Sequence, residues 1–148
     1  MFSLFGKRKD VNIGVRHGEW GENVACRHLR RLGFSILDRN LRPCKRDRRC
    51  EIDIVAFFKE TDTVVFVEVK QHARRSPYQR RLRSIDERKK RVLLRACRSW
   101  LRRERWQGGY RFDVIEVYGN PESGDRPEID HIERVRLFTP EERFVDWA

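Results

Sequence analysis

The segment that most restricts the fold is EIDIVAFFKETDTVVFVEVK, residues 51–70. Two runs rich in β-branched and aromatic residues flank a short polar break, Lys59 to Asp62, of a length that joins the strands of a hairpin. Strands over 51–58 and 63–70 then set Asp53 opposite Glu68 and Glu51 opposite Lys70. Alternation sorts the faces. Ile52, Ile54, Ala56 and Phe58 share one side with Val65, Val67 and Val69. The other side carries Val55, Phe57, Val64 and Phe66 near the turn and the four charged residues at the open end.

Directly opposed side chains have Cβ atoms about 4.5–5.5 Å apart, and like charges at that spacing repel. A divalent cation bridging Asp53 and Glu68 turns that repulsion into coordination, since hard ions such as Mg²⁺ take carboxylate oxygens and keep several waters. A structural reading stands beside it. Glu51 and Lys70 form an ordinary ion pair, and Asp53 protonates or turns to solvent. Both depend on register, because a slip of one residue sends Asp53 and Glu68 to opposite faces.

Around the hairpin, GEWGENVACRHLRRL (18–32) places Ala25, Leu29 and Leu32 at helical spacing, with Gly33 as a stop signal. Glu22 extends the stripe upstream and puts a carboxylate on or beside its inward face. FSILDRNL (34–41) reads as a strand and RPCKRDRR as a basic loop. Residues 72–83 form an arginine-heavy connection containing Pro77. Ser84 and Glu87 make a capping-box pattern that opens a second helix with the stripe Ile85, Lys89, Val92, Leu93, Ala96, Cys97 and Trp100. Strands over 110–119 and 128–137 complete the order helix, three strands, helix, two strands. That order predicts an α/β domain with a mixed central sheet.

The size suits one domain, expected over 17–138 with a flexible lead-in (1–16) and a C-terminal tail (139–148). A formal charge of +11 points to a polyanionic partner. Nucleic acid fits better than a membrane surface, because the basic residues are interrupted by acids instead of lining one amphipathic helix. No stretch is long and apolar enough for a spanning segment or an export signal. Cys26, Cys44, Cys50 and Cys97 are too sparse for a disulfide scaffold, so reduced thiols in a cytoplasm are expected. A zinc site built on Cys44, Cys50 and a histidine such as His72 is the less favoured use of them.

An acid on one strand followed by Glu-x-Lys on the next is the motif of the PD-(D/E)xK nuclease superfamily, here Asp53 and E68-V69-K70. The motif alone is weak. More of the chain resembles the small bacterial YraN-like family. The matching pieces are G21-E22-N23-V24-A25, R39-N40, E51-I52-D53-I54-V55-A56, V65-F66-V67-E68-V69-K70, Lys89, R111-F112-D113-V114-I115 and H131-I132. Cys50 stands where the family usually has glycine, and the loop before it is longer and more basic than usual.

The resemblance implies a restriction-endonuclease-like fold and a metal-dependent endonuclease, a function that fold alone does not settle. By position, Asp53 and Glu68 would hold Mg²⁺ or Mn²⁺, with the Val69 carbonyl as a third ligand and Glu22 as an extra acid. Lys70 would position and help deprotonate the attacking water. Gln71 and Lys89 are candidates for contact with substrate phosphates. Arg46, Arg48 and Arg49 before the hairpin, and Arg74, Arg75, Arg80 and Arg81 after it, flank the acidic pocket and supply phosphate-neutralising charge.

No base-reading motif is visible, so structure-selective or nonspecific binding, to DNA more than RNA, is expected. A homodimer is compatible with the sequence. The rival function is a non-catalytic nucleic-acid-binding adaptor of the same fold. A third reading has Trp100, Trp106 and the tail containing Trp147 meet a protein partner. Asp113 and His131 match the family but read as structural.

Overall fold

The computed structural model describes residues 13–44, 46–47, 49–75 and 87–138. The elements are α1 (Ile13–Arg31), β1 (Ser35–Leu41), β2 (Ile52–Phe58), β3 (Thr63–His72), α2 (Glu87–Glu104), β4 (Gly109–Tyr118) and β5 (Glu128–Ile132). This is the expected order. The strands form one sheet in sequence order, antiparallel except for the parallel pair β3 and β4. The connection through α2 permits that one parallel step. An open mixed sheet with a helix on each face is the restriction-endonuclease-like architecture anticipated above.

The hairpin has the anticipated register, from Phe58–Thr63 at the turn to Ile54–Val67. A turn of 3₁₀-helix over Lys59–Thr61 and a left-handed Asp62 (φ 50°) close it. On one face α1 buries Val24, Ala25, Cys26 and Leu29 against Ile54, Ala56, Val65, Val67, Ile115 and Val117. On the other, α2 buries Leu93, Ala96, Cys97, Trp100 and Leu101 against Val55, Val64, Phe66, Phe112 and Val114. Each large apolar side chain so enclosed contributes about 1.5–3 kcal/mol relative to exposure.

Four details differ from the sequence reading. Leu32 is 48% exposed. The helix stops at Arg31 because Gly33 adopts φ 96°, with Phe34 N donating to Leu29 O and Gly33 N to Arg30 O. That double closure swings Phe34 into the inward position that periodicity assigned to Leu32. α1 also begins at Ile13, inside the expected lead-in.

Ile52 packs with the α2 cluster and not beside Ile54. Asn40, opposite Asp53 between the pairs Arg39–Ile54 and Leu41–Ile52, has φ 49°. A left-handed residue breaks the two-residue alternation locally, and Leu41 and Ile52 turn together to the α2 side.

Finally, Trp100 is core, edge-on to Phe66, and Trp106 donates its indole N–H to Gly109 O. These two tryptophans are used within the domain, which removes their share of the partner-binding reading. Trp147, Pro77, the Ser84 cap and Ile85 lie outside the described residues.

Candidate acidic site at the open end of the hairpin

α1 crosses the sheet closely where it carries no side chain. A Cβ on Gly21 would stand 3.1 Å from Gln71 Cβ and 3.3 Å from Gln71 Cγ. That approach brings the next residue, Glu22, down to the sheet. Its carboxylate is 3.6 Å from Arg39 Nη2 and hydrogen-bonds the Asn40 side chain. The left-handed turn at Asn40 thus presents an amide to a helix carboxylate. Burial raises the Glu22 pKa, Asn40 and Arg39 oppose the rise, and Glu51 adds to it.

Asp53 stands at the centre. Its Oδ2 accepts the backbone N–H of Val69 at 2.7 Å. Burial pushes its pKa up to about 8, and the neighbouring Glu68 carboxylate pushes the same way. The Val69 N–H opposes the rise and Glu22 adds to it. Two other acids therefore act on Asp53 at short range. Like-charge crowding of this kind is resolved by a proton or by a cation.

Glu68 lies on the α2 face of β3, where Lys89 Nζ comes within 3.4 Å of its Oε1. Lys70 follows two residues on, on the same face. Beyond Ile54–Val67, where the antiparallel pairing of β2 with β3 stops, Glu51 pairs with Arg42 at 3.2 Å. With Gly18, Glu19, Glu22, Arg39, Asn40 and Arg42 it lines a cavity of about 560 Å³ on the α1 side. A hollow of about 260 Å³ lined by Arg49, Arg88, Lys89 and Val92 opens on the α2 side.

Glu22, Asp53, Glu68 and Lys70 are thus gathered at one end of the hairpin, and Lys89 reaches a site carboxylate directly. Gln71 points the other way: it packs under Gly21 and donates its amide N–H to Gly119 O at 2.6 Å. Arg46, Arg49 and Arg74 are exposed. Arg49 is tied to Asp47 by two side-chain hydrogen bonds. Arg75 is held by Glu128 and bidentately by Asp130, with its guanidinium 4.3 Å from the Tyr118 ring centroid. Arg48, Arg80 and Arg81 lie outside the described residues.

Two further groups of polar residues stand apart from these: Glu116, which the sequence reading misses, and one around Asp113 and His131, which it reads as structural. Glu116 is fully buried on β4, beside Lys70 in the parallel register, with Tyr118 and His72 around its carboxylate. The available signal was an acid inside the apolar run V114-I115-E116-V117. The second group is built on Asp113, also fully buried. It accepts His131 Nε2 at 2.7 Å, two N–H groups of Arg111, and the Arg134 backbone N–H.

His131 Nδ1 in turn meets His28 Nε2 at 3.0 Å. Burial, with the charges of His131 and Arg31, lowers the His28 pKa. Asp113, His131 and Glu133 bring ligand atoms within 4.8 Å of one another, and Arg111 pairs with both acids there.

The four cysteines are free thiols. Cys44 Sγ lies 3.5 Å from Ser99 Oγ, and Cys50 and Cys97 are buried. His72 engages Glu116, on β4, and no zinc set forms around it among the described residues. No described helix is long and apolar enough to cross a membrane.

The model of the uncharacterised protein family UPF0102 matches residues 21–117. A UPF0102 protein of Mycobacterium tuberculosis is 40% identical over 124 residues, covering 82% of this chain and 92% of that protein. One from Caldicellulosiruptor saccharolyticus is 42% identical over 105 residues, 70% of this chain and 82% of its own length. A Pseudomonas aeruginosa relative is 38% identical over 118 residues, 78% and 88% of the two chains. The matched span contains Glu22, Asp53, Glu68 and Lys70, and the chain belongs to the UPF0102 family, the YraN-like family that its motifs resemble.

Proposed function

We propose that this protein is a metal-dependent endonuclease that hydrolyses phosphodiester bonds in DNA, selecting branched or single-stranded structure over base sequence. The observation that carries this reading is Asp53, whose pKa burial and Glu68 push to about 8. Glu68 crowds Asp53 directly and Glu22 adds to its electrostatic load from α1, and a hard divalent cation, Mg²⁺ or Mn²⁺, answers that charge with oxygen ligands. Such a cation supplies Lewis acidity and a water of lowered pKa.

The chain's own groups do the rest. Asp53 and Glu68 hold the cation, with Glu22 completing the set from α1. Lys70, on the Glu68 face, orients the attacking water and balances charge on the phosphate. Arg46, Arg49 and Arg74 at the rim draw in a polyanion with strong salt dependence. A second reading has one observation behind it. Lys89 pairs with Glu68 at 3.4 Å, a balance that needs no metal and suits a nucleic-acid-binding adaptor.

Cleavage assays on duplex, single-stranded and four-way-junction DNA and on RNA, with Mg²⁺ or Mn²⁺, separate the two. Cutting that is lost in Asp53→Ala and Lys70→Ala supports the nuclease. Salt-sensitive binding without cutting of any substrate establishes the adaptor.

A further inference from the structure

The face of the sheet that carries Glu68 and Lys70 continues past them into residues with no role so far. β3 and β4 run parallel in register, Lys70 beside Glu116 and His72 beside Tyr118. Glu116 is fully buried, and burying a carboxylate costs several kcal/mol unless close partners offset it. Tyr118 donates its hydroxyl to Glu116 Oε2 at 3.1 Å, and His72 Nε2 stands 3.5 Å from Oε1.

The imidazole is also clamped. It stacks on the Tyr118 ring at a centroid distance of 5.1 Å and an interplanar angle of 24°. Arg75, locked by Glu128 and Asp130, covers the same ring. The His72 side chain keeps 17% exposure, while its Nε2 and the Glu116 Oε1 that it faces are both enclosed, 3.5 Å apart and, among the described residues, without a hydrogen-bond partner. A carboxylate facing Nε2 selects the tautomer with the proton there and turns Nδ1 outward. A histidine oriented by a buried acid is the recurring construction of an acid–base catalyst.

We propose that His72, oriented by Glu116, is the general acid that protonates the leaving oxygen during phosphodiester cleavage. The inference rests on the nuclease reading. His72 lies two strand residues beyond Lys70, about 6.6 Å along the same face, so that side chains from the two positions can reach opposite sides of one scissile phosphate. Water attacks phosphorus and forms the new P–O bond. The bond from phosphorus to the sugar oxygen breaks, its electron pair goes to that oxygen, and the proton on His72 Nδ1 passes to it. The neutral imidazole, its Nε2–H still turned toward Glu116, regains a proton from solvent.

Two experiments test this. In metal-free protein, nitrogen-15 NMR of the neutral imidazole should show His72 in the Nε2–H form, with a mixture of tautomers in Glu116→Leu. An Nδ1–H form in the wild type overturns the proposal. In Mg²⁺, His72→Ala should cut ordinary DNA about 100-fold more slowly, within the range of general acid catalysis. It should lose little on DNA in which sulfur replaces the bridging oxygen that leaves, because a thiolate departs without a proton. Equal slowing on both substrates, with an unchanged melting temperature, overturns the general acid and leaves the nuclease standing. A wild type that cuts neither substrate overturns both.

Discussion

The Asp53 carboxylate takes the backbone N–H of Val69 at 2.7 Å, so a side chain occupies the position where the β2–β3 ladder would otherwise continue. This contact ends the pairing at Ile54–Val67 and holds the two strands apart with carboxylates between them. It also sets a pH dependence. Folding raises the Asp53 pKa from 3.8 to about 8. Between those values the unfolded chain has released a proton that the folded chain keeps. Metal-free protein should therefore lose stability as pH rises from about 4 to about 8, by at most about 1.4 kcal/mol per pH unit. Melting temperatures in EDTA across that range should fall for the wild type and flatten for Asp53→Asn. Equal slopes would place the proton elsewhere.

The Lys89–Glu68 pair, with the Glu68 side chain 12% exposed, substitutes for a cation at the site. Removing the lysine leaves the enclosed carboxylate without that charge. Lys89→Met should melt lower than the wild type in EDTA, and added Mg²⁺ should raise its melting temperature by more than it raises that of the wild type. A variant that melts like the wild type with and without Mg²⁺ would show that Lys89 is an ordinary surface lysine.

The hairpin register was legible because turn length and apolar alternation both specify it, and alternation fails outright under a one-residue slip. The open end was less legible. There a left-handed Asn40 and a side-chain acceptor on Asp53 replace the regular ladder, which sent Ile52 to the other core and Glu51 to Arg42. Gln71 lies under α1 while Lys70 faces α2, as alternation along β3 requires. The union of Glu22 with Asp53 could be anticipated from the helical stripe. Glu116 could not, because one acid inside a strand says nothing about which partners fold around it.

Gly21 sets how far α1 descends onto β3, and therefore where Glu22 sits. An added Cβ meets Gln71 at 3.1 Å, a contact that a small shift of the side chain relieves. Alanine also gains helix propensity over glycine, so Gly21→Ala should be close to neutral in stability. Gly21→Leu overfills the same gap and should cost about 1–3 kcal/mol in denaturant unfolding. Its metal affinity, measured by calorimetry, should fall in both the absence and the presence of a stabilising osmolyte. Normal metal binding in a destabilised Gly21→Leu would remove Glu22 from the ligand set.

His28 and His131 share a single hydrogen bond at 3.0 Å, with His131 anchored on the other side by the buried Asp113. Folding lowers the His28 pKa below 6.5, through burial first and then the charges of His131 and Arg31. The sign is opposite to that of Asp53 in the same measurement. As pH falls below about 6.5 the unfolded chain binds a proton that folded His28 refuses, and stability declines until the folded pKa is passed. Above that range the group contributes no slope. His28→Gln keeps a hydrogen-bonding side chain on α1 and cannot take up the proton, so between pH 6.5 and 5 the Asp53 slope stands unopposed and the melting temperature of this variant should rise more steeply on acidification than that of the wild type. The two variants together divide the profile: Asp53→Asn removes the alkaline decline and leaves the acidic one, and His28→Gln does the reverse. A wild-type curve that is flattened between pH 5 and 6.5, where the two slopes oppose, and falls from there toward pH 8 is the expected outcome.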